Sequence, residues 1–456
     1  MGKLHFPPAA DLTAADKLVL AHLQKDYEQV DSKPKAVSVD AAEESDDSLT
    51  KHTQESEQQT IAYLKNVNNP KSDVFETTVF STWDLPDFKN PVLRKWIIDP
   101  YVNWAKGVVR TETDVIMITH LLTYLCTSIP SALYLFYNFH WWHGVLHSAV
   151  QLYYMGPYTL LMHQHIHMRG VLNKKYALVD TIFPYIFDPL MGHTWNSYFF
   201  HHVKHHHIEG NGPNDLSSTV RYQRDSVLHF LHYVGRFYLL VWFDLPRYFL
   251  RNKKTSLALK AGGCEIANYI FLYSMYKFVN SNATVFVFLI PLALMRIALM
   301  TGNWGQHAFV DEVEPDSDFR SSITLVDAPV SLMFIVHQTP VLITSQSNRY
   351  CYNDGYHTSH HLNPLRHWRD HPVAFLSQKQ QYSDEHALVF YNIDYFMLTI
   401  TLLSKNYEHL ARCLVPLGEQ MKMTMEERVE MLKRKTRRFT EEEIAEKWGK
   451  QHAKLK

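Results

Sequence analysis

The stretch that most constrains this chain is Phe200-His201-His202-Val203-Lys204-His205-His206-His207, in which five of eight residues are histidine. Neutral imidazole is a good ligand for iron, zinc or copper. Crowded imidazoles with nothing to bind become costly once any of them takes up a proton. The fold must therefore bring this stretch to a metal, and two further histidine groups can complete the site. They are His163-Gln164-His165-Ile166-His167 upstream and His357-Thr358-Ser359-His360-His361 downstream. Histidine accounts for 28 of 456 residues, and its clustering carries the argument more than its number.

The spacings suggest how ligands are presented. His163 and His167 are four residues apart, so on a helix they share one face, while His165 points elsewhere. Alone, that pair reads more readily as two interfacial histidines. His206 and His207 are adjacent, so their rings can diverge towards two metals. The preceding turn should add one more ligand, and both His202 and His205 have workable spacing. The bland reading of this stretch is a solvated, proton-buffering loop. Against it, His357, His360 and His361 repeat a similar H-x2-H-H pattern, followed by Asn363-Pro364 and Arg366. Asn303 and His307 supply a fourth candidate group, although by themselves they read as a capping Asn and a structural His. Asp215 and Asp354 are candidate acceptors that orient a histidine N–H, or else ordinary turn residues.

Apolar runs place these groups. Val115 to Asn138 and Trp141 to Met162 are each long enough to cross a bilayer. The link Asn138-Phe139-His140 has no Lys or Arg, whereas Arg94, Lys95, Lys106 and Arg110 precede the first run and Arg169, Lys174 and Lys175 follow the second. The positive-inside rule puts both flanks in the cytosol. Ser226 to Leu250 reads as an amphipathic interfacial helix. Cys264 to Phe278 and Thr284 to Met300 read as a second, marginal hairpin, short in one arm and carrying Arg296 in the other. Two hairpins return every histidine group, and both termini, to the cytosolic side. Ala328 to Thr344 is a further apolar stretch, expected to dip into the membrane or pack on the site.

The expected fold class is all-α: an integral membrane helical bundle of two transmembrane hairpins under a cytosolic helical cap that carries the histidine-rich site. Residues 1–75 read as a soluble lead, with helical spacing over Leu12 to Tyr27 and a disordered stretch from Asp31 to Thr60. Residues 76–415 form the membrane-embedded domain, and 416–456 a charged, solvated helical tail. Long polar ends around an apolar middle account for a mean hydropathy of −0.24. No signal peptide is read at the N-terminus. The balance of 45 basic and 46 acidic residues gives no push towards nucleic acid. Cys126, Cys264, Cys351 and Cys413 form no CxxC pair, which argues against both a disulfide framework and a thiolate zinc site.

Three boxes in this order, with hairpins between them, resemble the membrane-bound fatty acid desaturase and alkane hydroxylase superfamily over roughly residues 110–375. That resemblance implies a di-iron site, with two Fe ions as cofactors and O2 as co-substrate, reduced to attack an unactivated C–H bond. The ligand candidates are His163, His167, His202, His205, His206, His207, Asn303, His307, His357, His360 and His361. It also implies a lipid or acyl substrate in a tunnel among the spans, and the endoplasmic reticulum as the expected membrane. No fused cytochrome b5 core (His-Pro-Gly-Gly) is visible, so a separate electron donor of cytochrome b5, ferredoxin or rubredoxin type is expected. The run His202, His206, His207, Pro213, Asp215, Ser217 is similar to the second box of hydroxylases. Asn303-x3-His307 is similar to a ligand element of acyl-CoA desaturases, and hydroxylases have an Asn-x3-His too. The additional His165, His201 and His205 depart from the pattern and leave the register of box two open between His206-His207 and His205-His206. The expected activity is fatty-acyl desaturation, with lipid or alkane hydroxylation as the nearest rival. A metal transporter would place polar ligands inside the spans, which hold little besides His120, Glu265 and Arg296. A zinc hydrolase would show H-E-x-x-H.

Overall fold

The computed structural model describes residues 12–31, 56–327 and 348–452, with the backbone alone over 330–336 and 339–345. Helix α1 (Ala14–Asp31) and helix α2 (residues 56–68) open the described chain. Leu12, Val19, Leu20 and Leu23 of the first, and Leu64 of the second, share a core with Tyr356, Phe375 and Tyr382. The N-terminal segment is thus packed against the third histidine box. Residues 56–60, expected to be disordered, are helical, because Leu64 anchors their helix to that core. Residues 32–55 lie outside the described residues.

Helix α3 (Asp99–Val108) leads to the first long hairpin, α4 (Val115–Tyr137) and α5 (Trp141–Met168). Extended backbone at Asn138 and His140 breaks the helix between them. The hairpin is sewn by polar contacts: Ser131 Oγ lies 2.9 Å from both His143 Nε2 and His147 Nδ1. Helix α5 runs past Met162 to Met168 and so carries His163 and His167 on its last turns. It stops at Arg169, whose φ of 55° is left-handed. Gly170 follows at φ 112°, and a Cβ there would lie 1.9 Å from Asp180 Oδ2. Only glycine lets Asp180 accept from Val171 N at 3.0 Å and pair with Arg110 at 3.4 Å.

Helix α6 (Ala177–Leu190) leads into a π-helical turn over Phe199–His206 that holds the central histidines. Helix α7 (Val227–Arg251) buries Tyr233, Val241, Leu245 and Phe249 and exposes Leu228, Leu231 and Leu239, an amphipathic division. Helix α8 (Thr255–Ser274) packs against it, with Pro246 against Gly262. Helical chain over Ser281–Gln306 ends in α9 (Ile290–Gln306), which delivers His307. Glu265 and Arg296, the charges noted in this hairpin, meet each other at 2.9 Å, with Tyr269 as a further partner of the guanidinium. Pairing is what makes two such charges tolerable inside an apolar bundle.

The third box forms the short helix α10 (His357–Leu362), followed by α11 (His371–Ser377) and α12 (Tyr395–Leu403). A small sheet supports it: Ile323–Leu325 pairs in parallel with Leu388–Phe390, which pairs antiparallel with Leu414–Val415. Within the apolar stretch expected to dip into the membrane or pack on the site, the backbone of Val330–Val336 pairs antiparallel with that of Thr339–Ser345. The architecture is therefore mostly helical with minor strands.

The charged tail was expected to be solvated and is instead docked. It forms α13 (Met425–Lys435) and α14 (Glu441–Trp448). Leu432 and Ile444 are fully buried. Lys435 pairs with Asp311 at 2.6 Å, and Arg221 with Glu441 at 2.8 Å. Buried Arg224 donates to the carbonyls of Ala308, Lys435 and Arg437, tying the tail to the segment after His307. The alternating acids and bases hid an apolar face of a few residues.

Among the described residues, two helices are long and apolar enough to cross a membrane, Glu112–Tyr137 and Ser281–Gln306, with mean hydropathies of 1.4 and 2.3. Their partners in the two expected hairpins, Trp141–Met162 and Cys264–Phe278, lie on long helices interrupted by His143, His147 and Gln151 in one case and by Glu265 and Asn268 in the other.

Candidate metal centre

Among the described residues, nine histidines meet in two groups. The first comprises His163 and His167 from the end of α5, His202 and His207 from the π-helical turn, and His360 from α10. Four of its Nε2 atoms form a closed circuit: His163 to His202 at 2.7 Å, His202 to His207 at 3.1 Å, His207 to His360 at 2.9 Å, and His360 back to His163 at 3.0 Å. Ligands at 90° on a metal about 2.1 Å away would stand about 3.0 Å apart. The rings agree. Neighbours around the circuit have centroids 4.6, 4.5, 4.7 and 4.3 Å apart. The ring of His167 lies 4.8, 5.1, 4.8 and 4.8 Å from those of His163, His202, His207 and His360. His202 and His360, across the circuit, are 5.8 Å apart and parallel within 9°. This is a square pyramid of imidazoles with His167 at its apex.

The second group contains His206, His307 and His361. His357 belongs beside it, with Nε2 3.2 Å from His307 Nε2 and its ring 4.4 Å from that of His361. The groups touch through His207 and His361, 5.1 Å apart, and through the adjacent pair His206 and His207.

The donor set fits metal better than mutual hydrogen bonding. His167 Nε2, His206 Nε2 and His361 Nε2 are buried and have no hydrogen-bond partner among the described residues. A buried, unsatisfied imidazole nitrogen is costly, and a cation facing it removes the cost. Burial, and then each other's charge, push His202, His207, His307, His357 and His360 well below the ordinary histidine range. Burial first, and then His163, take His167 down to about 2. These rings are therefore neutral at physiological pH, with lone pairs free for coordination.

The remote nitrogens are held in place. His206 Nδ1 lies 2.6 Å from Asp215 Oδ2, and His163 Nδ1 lies 3.3 Å from Asp354 Oδ1. Two other holders had no signal in the sequence. His361 Nδ1 is 3.2 Å from Asp318, and His307 Nδ1 is 3.4 Å from the Ser321 carbonyl, both contributed by a short helix over Asp318–Ser321. Burial opposes charge on Asp215 and Asp318, but His206 and His205 hold the first well below the usual carboxylate range, and His361 holds the second down. Asp215 also accepts from Asn211 N and from both N–H and O–H of Ser217.

Two candidate ligands stand outside both groups. His205 accepts the Leu216 backbone N–H on Nε2 at 2.8 Å and packs on Tyr248 at 4.1 Å between centroids. The Asn303 amide donates to Ser217 O and Tyr233 Oη, at 3.0 and 2.7 Å. From box two the candidate groups thus draw His202, His206 and His207, and the reason is the π-helical turn. On an α-helix, residues five apart lie about 140° from each other; an i to i+5 turn brings them nearly into line, so His202 and His207 face the same centre. His165 faces Asp180, and His201 lies against Phe237.

Comparison with protein-family models, curated proteins and solved structures found no match.

Proposed function

We propose that this chain is a membrane-bound, O2-dependent oxidoreductase with a di-iron centre that oxidises a C–H bond on a lipid acyl chain. The observation that supports it is the division of nine inward-facing histidines into adjoining groups of five and four, at the ends of two apolar helices. All-nitrogen ligation accommodates iron as it does zinc or copper, and the choice of iron follows the resemblance of the three boxes. Two irons there would supply the reduction of O2 by two electrons. The five-histidine group would hold one ion and His206, His307, His357 and His361 the other. Asp354, Asp215, Asp318 and the Ser321 carbonyl would accept the Nδ1 protons, which leaves each Nε2 as the ligand.

The substrate is read as an acyl chain among the helices. Tyr124, Tyr158, His193 and Tyr198 make consecutive ring contacts of 5.8, 6.0 and 5.5 Å, and Tyr198 reaches His163 at 6.1 Å. This column would line the approach, exclude water and fix the chain against the centre. The membrane reading is four spans in two hairpins, with the histidine groups and both termini cytosolic, in the endoplasmic reticulum. A separate carrier would supply electrons.

Desaturation is the first reading, as the commoner activity of the superfamily the boxes resemble. Hydroxylation is the second, and specific observations favour it: the register His202, His206, His207 with Asp215 and Ser217, and the engagement of Asn303 away from both groups. The test is a lipid profile by mass spectrometry of cells expressing the chain or His206→Ala. A product two hydrogens lighter that depends on His206 supports desaturation, and one oxygen heavier supports hydroxylation. Identical profiles would overturn both.

A further inference from the structure

The proposed function leaves His205 unused, although it is fully buried beside the centre. Its Nε2 lies 3.4 Å from Asp215 Oδ1, and the other oxygen of that carboxylate lies 2.6 Å from His206 Nδ1. On its outer side His205 stands edge to face against Tyr248, centroids 4.1 Å apart. Tyr248 Oη donates to Glu209 at the protein surface. The series Tyr248, His205, Asp215, His206 is therefore a continuous line of contacts from the surface to one ligand group.

The outer end of that line is basic. Lys204 precedes His205, Arg247 and Arg251 flank Tyr248 on α7, and Lys253 and Lys254 follow in the turn. That turn closes back on the helix, Asn252 N on Tyr248 O, Lys253 N on Leu250 O and Lys254 N on Phe249 O. Arg247, Arg251 and Lys253 are exposed, and Lys204 and Lys254 half-buried. Among the described residues none of the five has a carboxylate within ion-pair distance. Lys204 and Arg247 rest only on the rings of Phe199 and Phe243.

We infer that the basic surface around Tyr248 is the docking site of an acidic one-electron carrier protein that feeds the histidine centre. This rests on the oxidoreductase reading. Each reduced carrier gives up one electron at this surface and leaves oxidised, so two visits supply the two electrons that O2 reduction requires. Small, charge-complementary and salt-sensitive contacts are typical of transient redox partners. A lipid headgroup would meet the same charges, but it would give no role to the line of contacts leading inward.

The test uses the full-length, iron-loaded protein in nanodiscs of neutral phosphatidylcholine. The probes are three acidic carriers: a cytochrome b5-type haem domain, a [2Fe–2S] ferredoxin and a rubredoxin. Binding is read by surface plasmon resonance without turnover. At least one carrier should bind, with an affinity that falls steeply with salt. The triple variant R251E/K253E/K254E should weaken it at least tenfold, while K422E/K433E on the charged tail should leave it unchanged, both at unaltered melting temperature. His205→Phe should keep wild-type affinity and slow the anaerobic reoxidation of the pre-reduced carrier. Binding by none of the three, equal weakening by both charge variants, or unaltered affinity in the triple variant would overturn the inference. Loss of co-purified anionic phospholipid from the triple variant, with carrier affinity intact, would assign the surface to lipid instead. Failure of the iron reading would show separately, in metal content.

Discussion

Asp215→Asn is the substitution whose outcome the geometry specifies most closely. The carboxylate is buried and accepts four protein groups: the N–H of His206 at 2.6 Å, two backbone N–H groups at 3.2 and 2.8 Å, and the Ser217 hydroxyl at 2.8 Å. Every one of these contacts needs an acceptor. Asparagine keeps one oxygen and introduces an NH2. If the oxygen faces His206, the NH2 faces two donors; if the NH2 faces His206, the imidazole must carry its proton on Nε2 and cannot coordinate through it. Either arrangement leaves a buried donor unpaired, at a cost of about 1–3 kcal/mol. Loss of such a holder typically lowers metal affinity about 10–100-fold. The expected result is selective loss from one group: iron content falling from about two per chain towards one, because the five-histidine group makes no contact with Asp215. Chelator competition read by plasma mass spectrometry measures this. Wild-type affinity at both sites, or equal loss from both, would refute the reasoning.

Other expectations follow from the same geometry. His205→Phe should retain both metals, whereas His207→Ala should lose the first; melting curves in each background check that the fold survives. Buried neutral histidines bind fewer protons folded than unfolded, so stability should fall as pH drops below about 6.5. His167 alone withdraws roughly 1.5 kcal/mol between pH 6.5 and 5, and His307, His357 and His360 act in the same direction. A pH-insensitive melting temperature of the metal-free protein would contradict this. Glu265→Ala leaves Arg296 buried without its counter-charge and should cost about 3–5 kcal/mol, measured as a lowered melting temperature.

Much of this was legible in the sequence where a period or a spacing carries it. The first apolar run matches α4 within a residue, and an i, i+4 pair on a helix is enough to place His163 and His167 on one face. The register of box two was not legible, because it depends on a π-helical turn, and nothing in Phe199 to His206 distinguishes i to i+5 bonding from i to i+4. Asp318 escaped for a different reason: it comes from a four-residue helix 43 positions before the histidine it holds, and no local pattern links the two. The docked tail shows the limit of charge patterning, since a few apolar residues such as Leu432 and Ile444 decided its fate among many charges.

Iron-edge X-ray absorption with metal analysis on the purified full-length protein tests the central claim most directly. Two adjoining groups of five and four histidines predict about two irons per chain, with imidazole scattering at about 2.1 Å and no sulfur neighbour. Stoichiometric zinc without iron, or a single ion per chain, would contradict it.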